Sequence, residues 1–276
     1  MLKRTLDWHP ALAEAIRELD GPHFAPALAR ALRQVAPFDY NVVFGYRGED
    51  RPLDLHDDFG PGKRDIFVSM YQAGPYLLDP FFHASRNNVA PGLYRMRDLA
   101  PDRFYQSEYC RSYYMQTGLT EEIGFFLATG DGARVVISLM RAGHSPSFST
   151  REMAALHAVA PVVIAAAERH WRGLSQRFDA APETLRAEAA LREAFAAFGR
   201  HRLTQREGEV VAMVLRGHSS EAIATALKIA PGTVKIHRKN IYAKLGIGSQ
   251  AELFSMFLDS LSRGGSRDSH PARRRA

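Results

Sequence analysis

The chain has 276 residues, enough for two domains that each bury a core. Its formal net charge is +6, but the 24 basic and 24 acidic residues among residues 1–202 balance, so the whole excess lies in the last quarter. This distribution predicts an anionic partner for the C-terminal end alone, and the single cysteine, Cys110, excludes an intrachain disulfide.

The sequence also argues against several other classes of protein. Its start lacks the apolar core of a signal peptide, and its longest apolar stretch (158–167) is short and contains Pro161. A cytoplasmic protein without a membrane partner is therefore expected. Neither a phosphate-binding glycine loop nor a nucleophile or metal motif is present, so no enzyme, cofactor or metal site is predicted.

Taken in chain order, the first half predicts short helices and strands. The predicted elements are helices at 10–20, 24–35, 63–73 and 80–88, a strand at 38–48 with a hairpin partner at 51–60, a hairpin at 123–143 around Gly130-Asp131-Gly132, and a long helix at 148–171 capped by Ser149 or Thr150. This order predicts an α+β domain over residues 1–171, with an antiparallel sheet flanked by helices.

A helical linker is predicted at 172–202, where Pro182 and Gly199 bound one amphipathic helix. That helix either packs on a neighbouring domain or dimerises. Residues 262–276 are polar and basic, which predicts a disordered tail.

Residues 203–261 predict an all-α module of four short helices. Capping boxes at Thr204–Glu207 and Ser249–Glu252 open the first and the fourth. Pro231 opens the third, and Gly246 ends it.

The third helix is predicted to have two different faces. At 100° per residue, Val234, Ile241 and Leu245 point inward. The opposite face carries Gly232, Ile236, Lys239 and Ala243, flanked by Lys235 and Asn240. This face fits a helix that lies in the major groove of DNA, where the isoleucine would contact a thymine methyl group. A basic helix exposed to solvent is the alternative that the helical wheel leaves open.

This module resembles the helix-turn-helix of LuxR-type transcription regulators without a gap over about 59 residues. The matching positions are Leu203, Thr204, Arg206, Glu207, Glu209, Val210, Gly217, Ser219, Ile223, Ala224, Leu227, Ile229, Thr233, Val234, Lys235, His237, Ile241, Lys244, Leu245, Gly246, Glu252 and Leu253. The resemblance implies base contacts from Lys235, Ile236 and Lys239. It gives Thr233, His237 and Lys244 backbone contacts or packing roles.

The module departs from the family pattern at three positions. Ala222 replaces the usual glutamate, Ala230 removes a side-chain cap from the third helix, and Gln250 replaces a frequent arginine. The resemblance also implies a homodimer, in which Leu253, Phe257 and Leu261 of the fourth helix pair across a two-fold axis or instead pack within the module.

The first half resembles the autoinducer-binding, GAF-like domain of quorum-sensing LuxR proteins. Asp79-Pro80 is followed at the family's offsets by Pro91 and by Tyr94, which replaces a tryptophan. The strand pattern from Gly118 also fits, with Glu122 in place of a glycine. A second family tryptophan, near Ile66, is missing.

The resemblance implies a ligand site in which Asp79 accepts a hydrogen bond from a ligand N–H. Tyr71, Tyr76 and Tyr94 are predicted to line it, with Phe82, Tyr105, Tyr109, Tyr113 and Tyr114 as further aromatic candidates. Alternatively, most of these aromatic residues belong to the hydrophobic core. Asp79 would alternatively cap the helix that Pro80 starts. Cys110 is either a redox sensor beside Arg111 or a small buried side chain.

The sequence therefore predicts a dimeric DNA-binding regulator controlled by a small molecule of unknown identity. The alternative is a regulator whose N-terminal half is a ligand-independent dimerisation or protein-interaction module.

Overall fold

The protein is described here from a computed structural model that covers residues 2–112, 117–180, 198 and 201–264, without the side chains of residues 2–7, 112, 258 and 261–264. The described residues form two compact units. The first contains residues 2–100 and 117–180, and the second contains residues 101–112, 198 and 201–264. The helix predicted within the linker lies outside the described residues, except for Phe198. Of the tail predicted to be disordered, residues 265–276 lie outside them too, whereas residues 262–264 continue the last helix (Gln250–Gly264).

The first unit contains every helix and strand predicted for residues 10–171. Its helices are α1 (Leu2–Arg17), α2 (Phe24–Val35), α3 (Pro61–Arg64, continued by a π-helical turn at Asp65–Met70), α4 (Pro80–Arg86), α5 (Met96–Leu99), α7 (Thr150–His170) and α8 (Ser175–Asp179). Its strands are β1 (Tyr40–Tyr46), β2 (Leu53–Asp57), β3 (Gly92–Arg95), β4 (Leu119–Ala128) and β5 (Arg134–Ala142). The sequence did not predict β3 and α5, which have only four residues each.

The five strands form one antiparallel sheet in the order β2-β1-β5-β4-β3. Strands β1, β4 and β5 are buried along nearly their whole length, on both faces. Val43 and Phe125 join the main core under α2 and α7. Phe44 and Tyr46 point to the opposite face, where they contact Tyr71 and Phe82. The sheet therefore separates a helix-covered core from a second, aromatic layer.

Helix α7 covers the sheet with one apolar stripe of buried residues, Met153, Leu156, Ala160, Val163 and Ala167. Ser149 and Glu152 form a complete capping box at the start of α7. Of the two predicted caps, Ser149 and Thr150, the structure therefore has Ser149. With 21 residues, α7 is the one helix in the described ranges whose length and composition would allow a membrane span. Packing on the sheet accounts for the apolar stripe without a bilayer.

The second unit contains the four predicted C-terminal helices and a short segment from the middle of the chain. The helices are α9 (Gln205–Arg216), α10 (Ser220–Leu227), α11 (Pro231–Leu245) and α12 (Gln250–Gly264). The segment 101–112 contains a 3₁₀ turn (Phe104–Gln106) and α6 (Glu108–Ser112). The predicted domains followed chain order, whereas this segment groups with the C-terminal helices.

Segment 101–112 is bonded to the turn between α9 and α10. The amide of Arg103 donates to the carbonyl of Gly217 at 3.0 Å, and the amide of Ser219 donates to Asp102 Oδ1 at 3.1 Å. Phe104 is fully buried in this unit. Of the further aromatic candidates in this part of the chain, Tyr109 lies with its ring 5.8 Å from that of Phe104, and Tyr105 is half exposed. Tyr113 and Tyr114 lie outside the described residues.

Gly217 makes this contact possible. Its φ of +91° lies in the left-handed region, as is common just after a helix. A Cβ atom on Gly217 would lie 2.8 Å from Cα of Phe104, closer than real Cβ contacts occur. Gly246, which ends α11, has a similar φ of +73° but no atom within 4 Å of its hypothetical Cβ.

These two glycines provide a matched pair for an experiment. Gly217→Ala and Gly246→Ala each incur the left-handed backbone cost of roughly 1–2 kcal/mol, but only Gly217→Ala also displaces Phe104. We expect amide exchange in α9 and α10 of the full chain to accelerate more in Gly217→Ala. Exchange in 101–112 should accelerate only in that variant. Equal effects of the two substitutions would mean that the close contact contributes nothing.

Candidate nucleic-acid interface and sensor pocket

Helix α11 has the two faces that the sequence predicts. Val234, Ile241 and Leu245 are at most 4% exposed and join the core of the second unit. The predicted outer residues Gly232, Lys235, Ile236, Lys239, Asn240 and Ala243 are all exposed. Ile236 is 60% exposed, more than any other large apolar side chain in the described residues. Thr233 and His237 are half-buried at the edges of this face.

Lys244 differs from the other lysines of this helix because its ammonium group has an internal partner. Its Nζ donates to both carboxylate oxygens of Glu207, at 2.8 and 2.7 Å. Glu207 is only 3% exposed and also accepts the amide of Thr204. Burial alone would raise the pKa of Glu207, but hydrogen bonds from Lys244 and Thr204 outweigh it and lower that pKa. Of the two roles implied for Lys244, the geometry supports packing.

Arg238 is a candidate that the sequence analysis did not single out. Its guanidinium donates to the hydroxyl of Tyr242 at 3.3 Å and to Oε1 of Gln250 at 3.2 Å. Gln250, the departure from the family's arginine, therefore holds another arginine in place. At the other end of α11, Ala230 provides no side-chain cap, as the sequence predicts.

Helix α12 packs within its own unit. Leu253 and Phe257 are at most 1% exposed in the single chain, which favours the packing alternative over a two-fold contact for these two side chains. The side chain of Leu261 lies outside the described residues.

Asp79 occupies the aromatic layer of the first unit, on the sheet face opposite α7. Its Oδ1 accepts the amide of Phe81 at 2.8 Å, so the alternative of a cap on α4 is confirmed. Its Oδ2 accepts the hydroxyl of Tyr71, which also lies 3.1 Å from the hydroxyl of Tyr46. Burial raises the pKa of Asp79 to about 6, although both hydrogen bonds oppose that shift. The two hydrogen bonds therefore compensate only part of the cost of burying the negative charge of Asp79.

Three of the four predicted ligand-site residues lie together. Tyr71, Tyr76 and Asp79 are buried, and the rings of Tyr71 and Tyr76 are 6.2 Å apart. Phe82, another aromatic candidate, packs on Tyr76 at 5.1 Å. Tyr94 is half-buried, and its hydroxyl donates to the carbonyl of Ala90 at 2.9 Å. Its ring lies 5.5 Å from that of Phe126.

Cys110 lies in segment 101–112 and is fully buried. Burial raises the pKa of its thiol to about 11 against the small opposing effect of Arg111. A thiol that resists ionisation is a poor redox sensor, which supports its interpretation as a small buried side chain.

The C-terminal module matches a known family. Residues 201–257 match the family model described as "Bacterial regulatory proteins, luxR family". MalT of Yersinia pestis (strain Pestoides F), an HTH-type transcriptional regulator, is 42% identical over 50 residues, which are 18% of this chain and 6% of MalT. The resemblance predicted from residues 203–261 is therefore confirmed.

Other similarities extend into the first unit. A protein assigned as an HTH-type transcriptional regulator in the exeN 3′ region of Aeromonas salmonicida is 37% identical over 186 residues, which are 66% of this chain and 94% of that protein. The crystal structure of the LBD domain of VqsR from Pseudomonas aeruginosa aligns with 59% of this chain and 95% of its own, with 28% identity and a TM-score of 0.52. The α+β fold predicted for the N-terminal half is confirmed.

The environment of Asp79 predicts a pH dependence of stability. An unfolded aspartate titrates near about 3.9, and the folded one near about 6. Because the pKa is higher in the folded state, this group contributes stability that is present below about pH 4 and is lost as the pH rises through about 6. Between about pH 5 and pH 7.5 the loss should be about 1 kcal/mol.

The measurement compares the parent with Asp79→Asn, which keeps one carbonyl oxygen to accept the amide of Phe81, places an NH2 group toward the hydroxyl of Tyr71 and does not titrate. Urea unfolding is followed by tryptophan fluorescence, because both tryptophans, Trp8 and Trp171, are buried in the first unit. The stability difference between parent and variant should change by about 1 kcal/mol over that interval in favour of the variant. A difference independent of pH would show that Asp79 titrates normally.

Proposed function

Because the chain belongs to the LuxR family of helix-turn-helix transcription regulators, we propose that it binds an operator through α11 under the control of a small molecule bound in its first unit. It acts as a cytoplasmic homodimer on a near-palindromic site and has no catalytic step. The observation that carries the DNA part is the exposed basic face of α11 with Ile236 at its centre.

The reading face consists of Lys235, Ile236 and Lys239. A lysine reaches guanine acceptors or phosphates in the major groove, and an exposed isoleucine fits against a thymine methyl group. Among the described residues no large apolar side chain is more exposed than Ile236, and a DNA groove would cover it. Thr233 lies in the first turn of α11, where short polar side chains commonly contact phosphates.

Arg238 complements this face. Gln250 and Tyr242 hold its guanidinium at the flank of α11. We assign to it the phosphate contact that the family pattern gives to an arginine at position 250. Lys244, held by Glu207, instead fixes α11 on α9 and so orients the reading face.

The signal molecule is proposed to bind beside Tyr71, Tyr76 and Asp79. A carboxylate can accept about four hydrogen bonds, and two protein donors reach Asp79. A ligand N–H would offset part of the cost of burying this charge, which gives the site a physical reason to prefer ligands with an N–H donor. Tyr94 has the weaker case, since its hydroxyl is already bonded to Ala90.

One observation favours the ligand-independent alternative. Phe44, Tyr46, Tyr71, Tyr76 and Phe82 already pack on one another, with ring centroids 4.8 to 6.3 Å apart. A filled aromatic layer stabilises the sheet without a ligand. The first unit would then serve as a dimerisation or protein-interaction module.

Thermal melting of the full chain separates these two alternatives. The ligands tested are acyl-homoserine lactones, followed by extract fractions from the native host. A ligand at about 100 times its Kd should add about 2.7 kcal/mol of stability. Asp79→Asn should weaken that shift, because it replaces the charged acceptor with a neutral one. If no lactone or fraction shifts the melting temperature, the alternative module is the correct interpretation.

Lys239→Ala and Lys244→Ala should have separable effects. Lys239→Ala should leave the stability of the second unit unchanged, weaken binding to DNA selected from a random library by about tenfold and alter the base preference. Lys244→Ala leaves Glu207 without its cation. Since Lys244 is 41% exposed, the cost to stability should be only about 1–2 kcal/mol, read by amide exchange in α9 and α11.

Fluorescence anisotropy at several salt concentrations then measures the DNA affinity of each variant. These affinities test the roles assigned to Lys239 and Lys244. If Lys244→Ala changes base preference while Lys239→Ala does not, the two lysines have the reverse roles. Arg238→Ala should reduce the salt slope by about one phosphate contact without changing base preference.

A further inference from the structure

A pocket lies in the first unit, and its lining does not include Tyr71 or Asp79. It has a volume of about 340 Å³ and lies between the α1–α2 turn, strand β2 and the turn that joins α7 to α8. Its lining includes Asp20, His56, His170, Trp171, Arg172 and Arg177. These residues are distant in sequence, and they come together only because α2 and α7 pack on the same face of the sheet.

The pocket carries an excess of positive charge. Asp20 pairs with Arg169 at 3.5 Å. Asp54 and Asp57 both pair with Arg64, and Asp58 pairs with Arg33. Within the described part of the chain, Arg172 and Arg177 have no such ion pair. Arg172 and Arg177 therefore bring two guanidinium groups to the pocket that no carboxylate of the described residues holds in an ion pair, and Asp54 acts on Arg177 only over a longer range.

The imidazole of His170 offers a hydrogen bond of defined direction. Its Nδ1 accepts the amide of Asp20 at 3.1 Å, so in the neutral ring the proton resides on Nε2. Its ring stacks on Phe24 with centroids 4.2 Å apart, which fixes the ring plane.

The second imidazole, His56, lacks a partner. Its Nε2 is a buried atom without a hydrogen bond to any described residue. A buried polar atom in this state is costly, and a ligand in the pocket would provide the missing contact.

Burial disfavours the protonation of both rings. Burial, as the largest effect, lowers the pKa of His56, and Arg33 acts in the same direction against Asp57 and Asp58. Burial also lowers the pKa of His170, with Arg177 adding to it against Asp20. A bound anion would reverse part of both shifts, because negative charge stabilises the imidazolium form. Binding should therefore be accompanied by proton uptake.

We propose that this pocket binds a small anionic ligand carrying a phosphate or a carboxylate group, with Arg172 and Arg177 as its charge partners and His56 and His170 as hydrogen-bond partners. The planar guanidinium groups suit the paired oxygens of either anion. The volume is that of a metabolite site. The site is separate from the aromatic layer. The protein would therefore have two ligand sites of different chemistry. It also touches the α7–α8 turn, which leads into the chain before the DNA-binding module.

Isothermal titration calorimetry of the full chain with sulfate and with succinate tests this site, at constant ionic strength and about pH 6.5. Sulfate represents a tetrahedral phosphate and does not itself titrate in this range, whereas succinate represents a carboxylate ligand. We expect saturable binding of at least one of them. The sulfate titration, repeated in two buffers of different ionisation enthalpy, should show proton uptake if sulfate binds.

Substitutions then locate the binding. Arg172→Gln and Arg177→Gln should each weaken it by about tenfold or more, and Arg177→Lys should restore part of the loss. Arg151→Gln, an exposed arginine at the opposite end of α7, is the matched control and should have no effect. Absence of saturable binding, or equal losses from Arg177→Gln and Arg151→Gln, would overturn the proposal. Neither outcome depends on DNA or on the aromatic site, so failure here leaves the proposed function intact.

Discussion

A sheet buried on both faces is the constraint on which the first unit depends. One face of strands β1, β4 and β5 lies under α2 and α7, so the other face must also be shielded from water. Aromatic residues between β2 and β4 provide that cover, and Asp79 lies within it because it caps α4. A polar group at this position inevitably has a perturbed pKa. The packing that covers this face of the sheet therefore also raises the pKa of Asp79.

In the second unit, Glu207 has a comparable role on a smaller scale. A single buried carboxylate caps α9 through Thr204 and binds Lys244 of α11. The basic face of α11 is therefore oriented by an ionic contact on its opposite side. The buried carboxylate of Glu207 sets the orientation of α11 through Lys244, and the exposed lysines of α11 face outward, toward a partner.

Local patterns in the sequence predicted local structure well. The two faces of α11 followed from helical periodicity alone, because Val234, Ile241 and Leu245 are neighbours along one helix. The cap by Asp79 is similarly local, since its partner Phe81 is two residues away. Strand β3 escaped prediction because four residues carry too little pattern. Contacts between distant segments had no signal at all: Lys244 with Glu207, and the pocket that joins His56 to His170. A helical wheel shows on which face of its helix a lysine lies. It does not show whether a carboxylate from another helix lies beside that lysine.

Segment 101–112 also has a consequence for how the chain can be divided. The backbone passes between the two units three times, at about residues 100, 113 and 181, and not once through a single linker. A fragment that begins at residue 201 contains all four C-terminal helices but lacks Asp102 and Phe104, so the amide of Ser219 and the surface over Gly217 lose their cover. Such a fragment is therefore an incomplete version of the unit. Fusions that exchange C-terminal modules between relatives would meet the same mismatch, because part of the module is encoded within the other half of the gene.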